Sequence, residues 1–255
     1  MFTAQERESL QGRLLAAAEA DKRITGAAVT GSAAGGIQDE WSDVDLAFGV
    51  SADASLDDVL RDWTASMYSD HHALHHVDVL TGAWVYRVFL LASTLQVDLA
   101  FAPASDFGAR APTFRLIFCD AVDLPKARPP IGADLLGLGW LYALHARSSI
   151  RRGRRWQAEY MIGEVRRHVL KLACLRNGLP TSEGRGLDRL PASEAQPLEE
   201  ALVSSLDEGT LWRAFGAAMD GLIREARLLD TRLSERIEPS LRDLAEPLPP
   251  RARLG

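Results

Sequence analysis

Three aspartates stand at positions where metal chemistry is expected. Asp43 and Asp45 are two residues apart, and Asp45 belongs to a run, 44–48, that has the composition of a β-strand. Because successive side chains of a strand point to opposite faces, both carboxylates should lie on one face and the apolar side chains on the other. At roughly 4 Å and an effective dielectric constant of about 20, two carboxylates repel by about 4 kcal/mol. A cation is therefore expected beside them.

The string Val-Asp-Leu-Ala-Phe occurs twice, at residues 44–48 and 97–101. The second copy presents Asp98 on another predicted strand with the same inside-out pattern. If the two strands are neighbours, Asp43, Asp45 and Asp98 converge. Carboxylate oxygens suit Mg²⁺, and three carboxylates with the four negative charges of a nucleoside triphosphate need about two divalent cations. The alternative interpretation is a solvated acidic turn and an unrelated Asp98.

A glycine and a serine precede the aspartates. Gly31 follows the apolar run Ile24–Thr30, which predicts a strand that feeds a tight turn. Because glycine has no Cβ, the backbone can turn sharply there and approach a ligand closely. Ser32 adds a hydroxyl and a backbone N–H, so this turn is suited to holding phosphate oxygens.

The order Gly31–Ser32, a gap of about ten residues, Asp43-x-Asp45 and a later Asp98 resembles the DNA polymerase beta superfamily of nucleotidyltransferases. The fuller string is similar to the minimal and antibiotic-modifying branches, which include aminoglycoside and lincosamide nucleotidyltransferases. The resemblance covers roughly residues 20–105. Within it, Gly35 stands where a basic or aromatic residue is common, and Ile37 stands where a small polar residue is common.

The resemblance implies a magnesium-dependent enzyme that transfers a nucleoside monophosphate to a hydroxyl of a small molecule and releases pyrophosphate. Asp43, Asp45 and Asp98 would be the catalytic and metal-binding residues, with two Mg²⁺ ions. Asp98 would be the general base or the ligand that orients the nucleophile. Gly31 and Ser32 would hold the terminal phosphates. ATP or another nucleoside triphosphate would be the co-substrate, and an aminoglycoside- or lincosamide-like antibiotic is a candidate acceptor, with antibiotic resistance as the role.

The elements around these residues predict an α+β fold. Residues 1–125 should form a mixed-sheet catalytic domain, with strand-like runs that include a three-stranded meander near 76–101, and with helices beginning at Thr3 and Ser55. Residues 126–255 should form an all-helical, substrate-binding domain, because the pattern after Pro125 shows helices and no clear strands. Its expected helices are Leu135–Ser148, Arg155–Arg176, Leu198–Leu206 and Leu211–Leu229.

Three residues of the predicted helix 155–176 are candidate ligand contacts. Arg155 and Lys171 are candidates for binding the triphosphate across an interdomain cleft, and Glu159 is a candidate contact for the acceptor. Arg155 and Glu159 lie one turn apart and should share a face. A solvated face of ion pairs is the alternative for all three.

Composition limits the partners and the location. The formal net charge is −6, which disfavours a nucleic-acid partner and suits a cationic acceptor. No apolar run approaches the length of a membrane span, so we expect a cytoplasmic protein with no membrane contact; the oligomeric state stays open. Arginine far outnumbers lysine and alanine is abundant, a composition that suggests a GC-rich bacterial coding sequence. The two cysteines, Cys119 and Cys174, lie in apolar runs and are expected to be buried free thiols. His72 and His76 have the spacing of a helical zinc pair, but a strand at 77–80 would break that geometry.

Two other functions remain open at this point. One is a protein-modifying nucleotidyltransferase, such as the antitoxin of a toxin pair that nucleotidylates its partner; the extra helical half argues against it. The other is a non-catalytic nucleotide binder with a decayed site, against which the complete set of three aspartates argues.

Overall fold

The helices and strands fall into two runs along the chain. A computed structural model describes residues 1–110, 113–119, 121–125 and 128–246. The strands are β1 Ile24–Thr30, β2 Val44–Val50, β3 Ala73–Thr81, β4 Trp84–Leu91, β5 Gln96–Pro103 and β6 Phe114–Cys119. The helices are α1 Ala4–Ala20, α2 Gly31–Ala34, α3 Leu56–Asp70, α4 Gly132–Arg151, α5 Arg155–Arg176, α6 Ala192–Ala195, α7 Glu208–Leu229 and α8 Thr231–Ala245. Short 3₁₀ turns lie at Ala104–Asp106, Leu187–Arg189 and Gln196–Ala201.

The chain divides into two compact units, Met1–Ala127 and Arg128–Gly255. All six strands belong to the first unit, and the regular elements described for the second unit are helical. The α+β fold class expected from the sequence is therefore confirmed. The catalytic and substrate-binding roles assigned to the two halves stay predictions.

The first unit is built on one six-stranded sheet with the order β3-β4-β5-β2-β1-β6. β3, β4 and β5 form the expected antiparallel meander. β2 and β5 are parallel, whereas the other neighbouring pairs are antiparallel, so the sheet is mixed. This topology places the two copies of the Val-Asp-Leu-Ala-Phe string side by side.

One face of the sheet is covered by α1 and α3. Their apolar side chains join those of the strands in one buried cluster that includes Leu14, Trp63, Leu46 and Phe101. Both helices begin as the sequence predicts: Thr3 and Glu6 form a capping box, and the Ser55 side chain accepts a hydrogen bond from a backbone N–H of the first turn of α3. The aspartates lie on the other face of the sheet, with β2 and β5 presenting alternate side chains to each face.

The opposite face carries a smaller buried cluster of its own. Its members come from the strands and from the segment after β5: Ala28, Ala47, Ala100, Ala102, Trp84 and Phe107. The indole N–H of Trp84 donates to the Asp106 carbonyl at 3.1 Å, which fixes that segment to β4. This cluster packs against the same face of the sheet that carries the aspartates.

The second unit has a core formed by α4, α5, α7 and α8. The expected helix at Leu198–Leu206 is wrong, because a 3₁₀ turn, Gln196–Ala201, occupies the first part and no helix follows it there. α8 was not among the expected helices, and it contains Pro239. Its Leu241 and Leu244 are buried in the core of this unit, and that packing sustains the helix through the proline.

Two interpretations of smaller features are tested directly. Cys174 is buried and free, as expected, but Cys119 is exposed, so that half of the expectation is wrong. Cys119 ends β6, which is an edge strand with mostly exposed side chains. His76 lies on the extended strand β3, as the strand interpretation required, so His72 and His76 do not share a helical turn.

Candidate metal centre

The parallel pairing of β2 with β5 brings the aspartates together. The two repeated strings align residue for residue, from Val44 opposite Val97 to Phe48 opposite Phe101, and Asp45 lies opposite Asp98. Asp43 immediately precedes β2. One carboxylate oxygen from each of Asp43, Asp45 and Asp98 lies within 4.8 Å of the others, and all three residues are half-buried. Among the described residues, this is the one group of three metal-ligating side chains so close together.

The electrostatics of the site favour a cation. Burial raises the pKa of Asp98 from 3.8 to about 6; a hydrogen bond from Gln96 opposes the rise, and the neighbouring Asp43 adds to it. A carboxyl group that is both desolvated and next to another carboxylate resists ionisation. A divalent cation with oxygen ligands would reverse both effects, and the three carboxylates are the donor set that Mg²⁺ prefers. The residues present therefore fit a magnesium site.

Gln96 is a member of the site that the sequence interpretation missed. Its amide Nε2 donates to Asp98 Oδ1 at 3.0 Å and reaches Asp43 Oδ2 at 3.4 Å. Gln96 begins β5 two residues before Asp98, so the period of the strand places both on one face. That spacing was a signal available in the sequence.

The structure gives Gly31 a specific reason to be glycine. Its φ is +59°, a conformation that residues with a Cβ rarely adopt, and a Cβ built there would lie 1.9 Å from Asp45 Oδ2. The sharp turn expected from the sequence is present. What approaches the glycine closely is the carboxylate of Asp45, so the small residue creates the space in which that carboxylate sits.

Ser32 lies next to this contact, in the single turn α2. Its Oγ is buried and has no hydrogen-bond partner in the described structure. Buried hydroxyls are nearly always hydrogen-bonded, so an unpaired one beside a cluster of potential metal ligands points to a missing partner. A phosphate oxygen would satisfy this hydroxyl. Ser32 therefore fits the phosphate-binding role that the family resemblance implies, and that role stays a prediction.

A buried arginine holds the loop that leads to Asp43. Arg7 of α1 is 3% exposed, and its Nη1 donates to the backbone carbonyls of Asp39 and Ser42 at 2.5 and 3.3 Å. Asp39 and Ser42 also close a turn, in which the Ser42 hydroxyl donates to Asp39 Oδ1 at 3.0 Å. Nothing in the local sequence pattern indicates this function of Arg7, since its acceptors lie more than 30 residues away.

The other predicted ligand residues belong to the second unit. Arg155 is exposed at the first turn of α5, and Glu159 and Lys171 are partly exposed on the same helix. Glu159 acts electrostatically on Arg166, whose pKa is lowered by burial and raised in part by that carboxylate. The roles of Arg155, Glu159 and Lys171 in binding substrate stay predictions.

Comparison with known proteins identifies no family. No family model matches the chain, and no curated protein matches it. Solved structures do match, among them the crystal structure of an aminoglycoside 6-adenyltransferase from Bacillus subtilis. That match has a TM-score of 0.43 and 14% sequence identity, and it covers 96% of this chain and 99% of that chain. The functional argument therefore rests on the residues of the site itself.

No helix in the described part of the chain combines the length and the apolar character needed to cross a membrane.

Proposed function

We propose that this protein is a magnesium-dependent nucleotidyltransferase that moves a nucleoside monophosphate from a nucleoside triphosphate, ATP in the first instance, to a hydroxyl of a small molecule. The acceptor class we propose is a polyhydroxylated, cationic compound such as an aminoglycoside- or lincosamide-like antibiotic. The protein would act in the bacterial cytoplasm.

One observation carries this proposal. Three carboxylates from two parallel strands meet within 4.8 Å, beside a glycine-serine turn whose buried hydroxyl has no partner. If these residues had only a structural role, the repulsion among the carboxylates and the unpaired Ser32 hydroxyl would both lack an explanation. A triphosphate bound with divalent cations would account for both.

Each residue then has a distinct task. Asp43, Asp45 and Asp98 would hold the divalent ions, which supply charge neutralisation of the phosphates and a lowered pKa of the acceptor hydroxyl. Ser32 would donate through Oγ to a phosphate oxygen, while Gly31 keeps that turn close to Asp45. Asp98 would orient the acceptor hydroxyl and take its proton on a carboxylate oxygen.

Transfer itself would be an in-line displacement at the α-phosphorus. The acceptor oxygen forms a bond to that phosphorus, the bond from phosphorus to the bridging oxygen of the β-phosphate breaks, and pyrophosphate leaves with the electron pair. The protein contributes positioning and electrostatic stabilisation, which carry most of the catalysis in phosphoryl transfer.

The net charge of the chain supports a cationic acceptor. The formal charge is −6, and the proposed reaction centre is itself acidic. Such a field concentrates positively charged molecules near the site and repels polyanions such as nucleic acids.

The test is a turnover assay with labelled ATP, Mg²⁺ and a panel of acceptors, followed by pyrophosphate release. We expect Asp45→Asn to reduce turnover to background without loss of the fold, as judged by thermal unfolding. The matched control is Asp53→Asn, the same change at an exposed position after β2, which should keep full activity. Undiminished turnover in Asp45→Asn would refute the mechanism, and no product across the panel would refute the acceptor class.

A further inference from the structure

The sheet edge formed by β3 is apolar and exposed. Val77, Val79 and Leu80 are 55%, 51% and 71% exposed, and β3 is the outermost strand of the sheet as described. An outer strand presents a row of backbone N–H and carbonyl groups that can pair with another strand. Natural proteins usually protect such edges with charged residues, proline or a bulge; β3 contains neither lysine nor proline, its carboxylate, Asp78, is paired with Arg87, and its irregularity lies at its start, between Ala73 and His75.

We propose that β3 pairs antiparallel with β3 of a second copy of this chain, about a two-fold axis that passes through Val77. The pairing would join the two six-stranded sheets into one continuous sheet. The pairing would cover the β3 edge of each copy. It would close the assembly as a dimer, because an isologous contact uses the same surface on both copies.

Symmetry and charge restrict the register. A two-fold axis perpendicular to a sheet keeps each side chain on its own face, so the axis must pass through a residue and not between two. An axis through Asp78 would set its carboxylate against the carboxylate of the other copy, which is destabilising. An axis through Val77 sets valine against valine, and it brings His76 beside Asp78 of the second copy.

The same register also matches the remaining side chains. His75 would lie opposite Val79 of the second copy, and the exposed Leu80 would lie near the second copy's exposed Leu74. Val77, Leu74 and Leu80 thus meet apolar residues when the strand is reversed about Val77.

His76 and Asp78 are both held in place by contacts within their own copy. Arg87 donates to both carboxylate oxygens of Asp78, at 2.7 and 2.6 Å, and thereby fixes the side chain in place. His76 uses Nδ1 in its contact with the Tyr68 hydroxyl at 3.0 Å, which leaves Nε2 as the ring nitrogen for a further partner. Neither contact would need to break for the two copies to pair.

The interface would border the aspartate-bearing face of the sheet. Val77 lies opposite Val88 on β4, and Val88 lies opposite Asp98 on β5, so the three side chains share that face. At about 4.8 Å for each step between strands, β3 of the second copy would run about 14 Å from Asp98. The dimer would extend the surface beside the candidate metal centre.

The first experiment measures the mass of the full chain in solution by sedimentation velocity. We expect a discrete dimer, and we expect Val77→Lys to weaken dimerisation at least about tenfold, because the two ammonium groups would face each other across the axis. Ile117→Lys is the matched control, since Ile117 is 39% exposed on β6 at the opposite edge; it should leave the dimer intact. A monomeric wild type, or equal effects of the two substitutions, would overturn the proposal.

The second experiment tests the register in a Cys119→Ser background, which removes the exposed thiol. Val77→Cys places two thiols on the axis at a Cα separation compatible with a disulfide, so oxidation with diamide should link the two copies. In Val79→Cys the two thiols would be roughly 14 Å apart along the strands, and linking should be at least about tenfold slower. Equal linking at both positions, or a ladder of higher oligomers, would contradict a closed dimer centred on Val77.

Discussion

Replacing Gly31 with alanine provides the sharpest test of the candidate metal centre. The added Cβ would lie 1.9 Å from Asp45 Oδ2, whereas non-bonded atoms at contact are more than 3 Å apart. Either the carboxylate or the turn must therefore move by about 1 Å or more. Because Asp45 is proposed to bind the metal at the reacting centre, its displacement should lower both the affinity for Mg²⁺ and the rate of transfer.

The expected magnitude follows from this displacement. A misplacement of about 1 Å can reduce a catalysed rate about 100-fold, so we expect at least that loss in kcat/KM for Gly31→Ala. We also expect a loss of about tenfold or more in Mg²⁺ affinity, measured by isothermal titration calorimetry. Positive φ adds a backbone cost of about 1–2 kcal/mol for alanine, which should appear as reduced thermal stability.

Gly36→Ala separates the two effects. Gly36 also has a positive φ, +66°, and lies in the same loop, but a Cβ there would meet nothing within 4 Å. It should therefore lose a similar amount of stability while keeping Mg²⁺ affinity and turnover close to those of the wild type. If Gly31→Ala and Gly36→Ala affect metal binding equally, the close contact with Asp45 is not what makes Gly31 necessary, and the reasoning fails.

Three further predictions concern charge and support. The raised pKa of Asp98 stabilises the fold at low pH, and that contribution is lost as pH rises through about 6. Asp98→Asn should therefore stabilise the chelator-treated protein by about 2 kcal/mol at pH 8, after allowance for partial solvent exposure, but hardly at pH 4. Calorimetry in EDTA that shows the reverse would contradict this. The apparent affinity for Mg²⁺ should fall about tenfold for each pH unit below about 6, because the ion must displace the Asp98 proton; a flat titration profile would exclude Asp98 as a ligand. Arg7→Ala should cost about 1–3 kcal/mol and accelerate amide exchange at 39–43, since the Ser42 carbonyl loses its donation from Arg7 and the Asp39 carbonyl keeps only the Ser42 backbone N–H; unchanged exchange would show that the loop is stable without Arg7.

The parts of the fold that the sequence predicted are those set by local patterns. The alternation of apolar and polar residues in 44–48 and 97–101 specified two strands and the faces of their side chains, because a half-buried strand repeats every two residues. The capping box at Thr3 marked a helix start through hydrogen bonds made within a few residues. Such signals do not depend on the rest of the chain.

The parts that the sequence did not predict depend on distant contacts. Arg7 acquires its function only when α1 packs near the loop before Asp43, and no local pattern encodes that approach. α8 continues through Pro239 because burial of Leu241 and Leu244 outweighs the missing backbone hydrogen bond, which a rule based on proline alone does not anticipate. Gln96 is the intermediate case, because its spacing from Asp98 was visible but its amide contact with Asp43 required the pairing of β5 with β2.

The repeated string links the stability of the sheet to the geometry of the site. In the observed register, each residue of the repeated string on β2, from Val44 to Phe48, lies beside its own type on β5, so Asp45 lies beside Asp98. A slip of either strand by one residue would turn the carboxylate of that strand toward the core beneath α1 and α3 and would move its valine and phenylalanine to the other face. The burial of the apolar face thus holds two like charges side by side that would otherwise separate. Ala47 and Ala100 follow the aspartates on the same face and are buried in the cluster that contains Trp84 and Phe107, so the carboxylates lie at the border of that cluster.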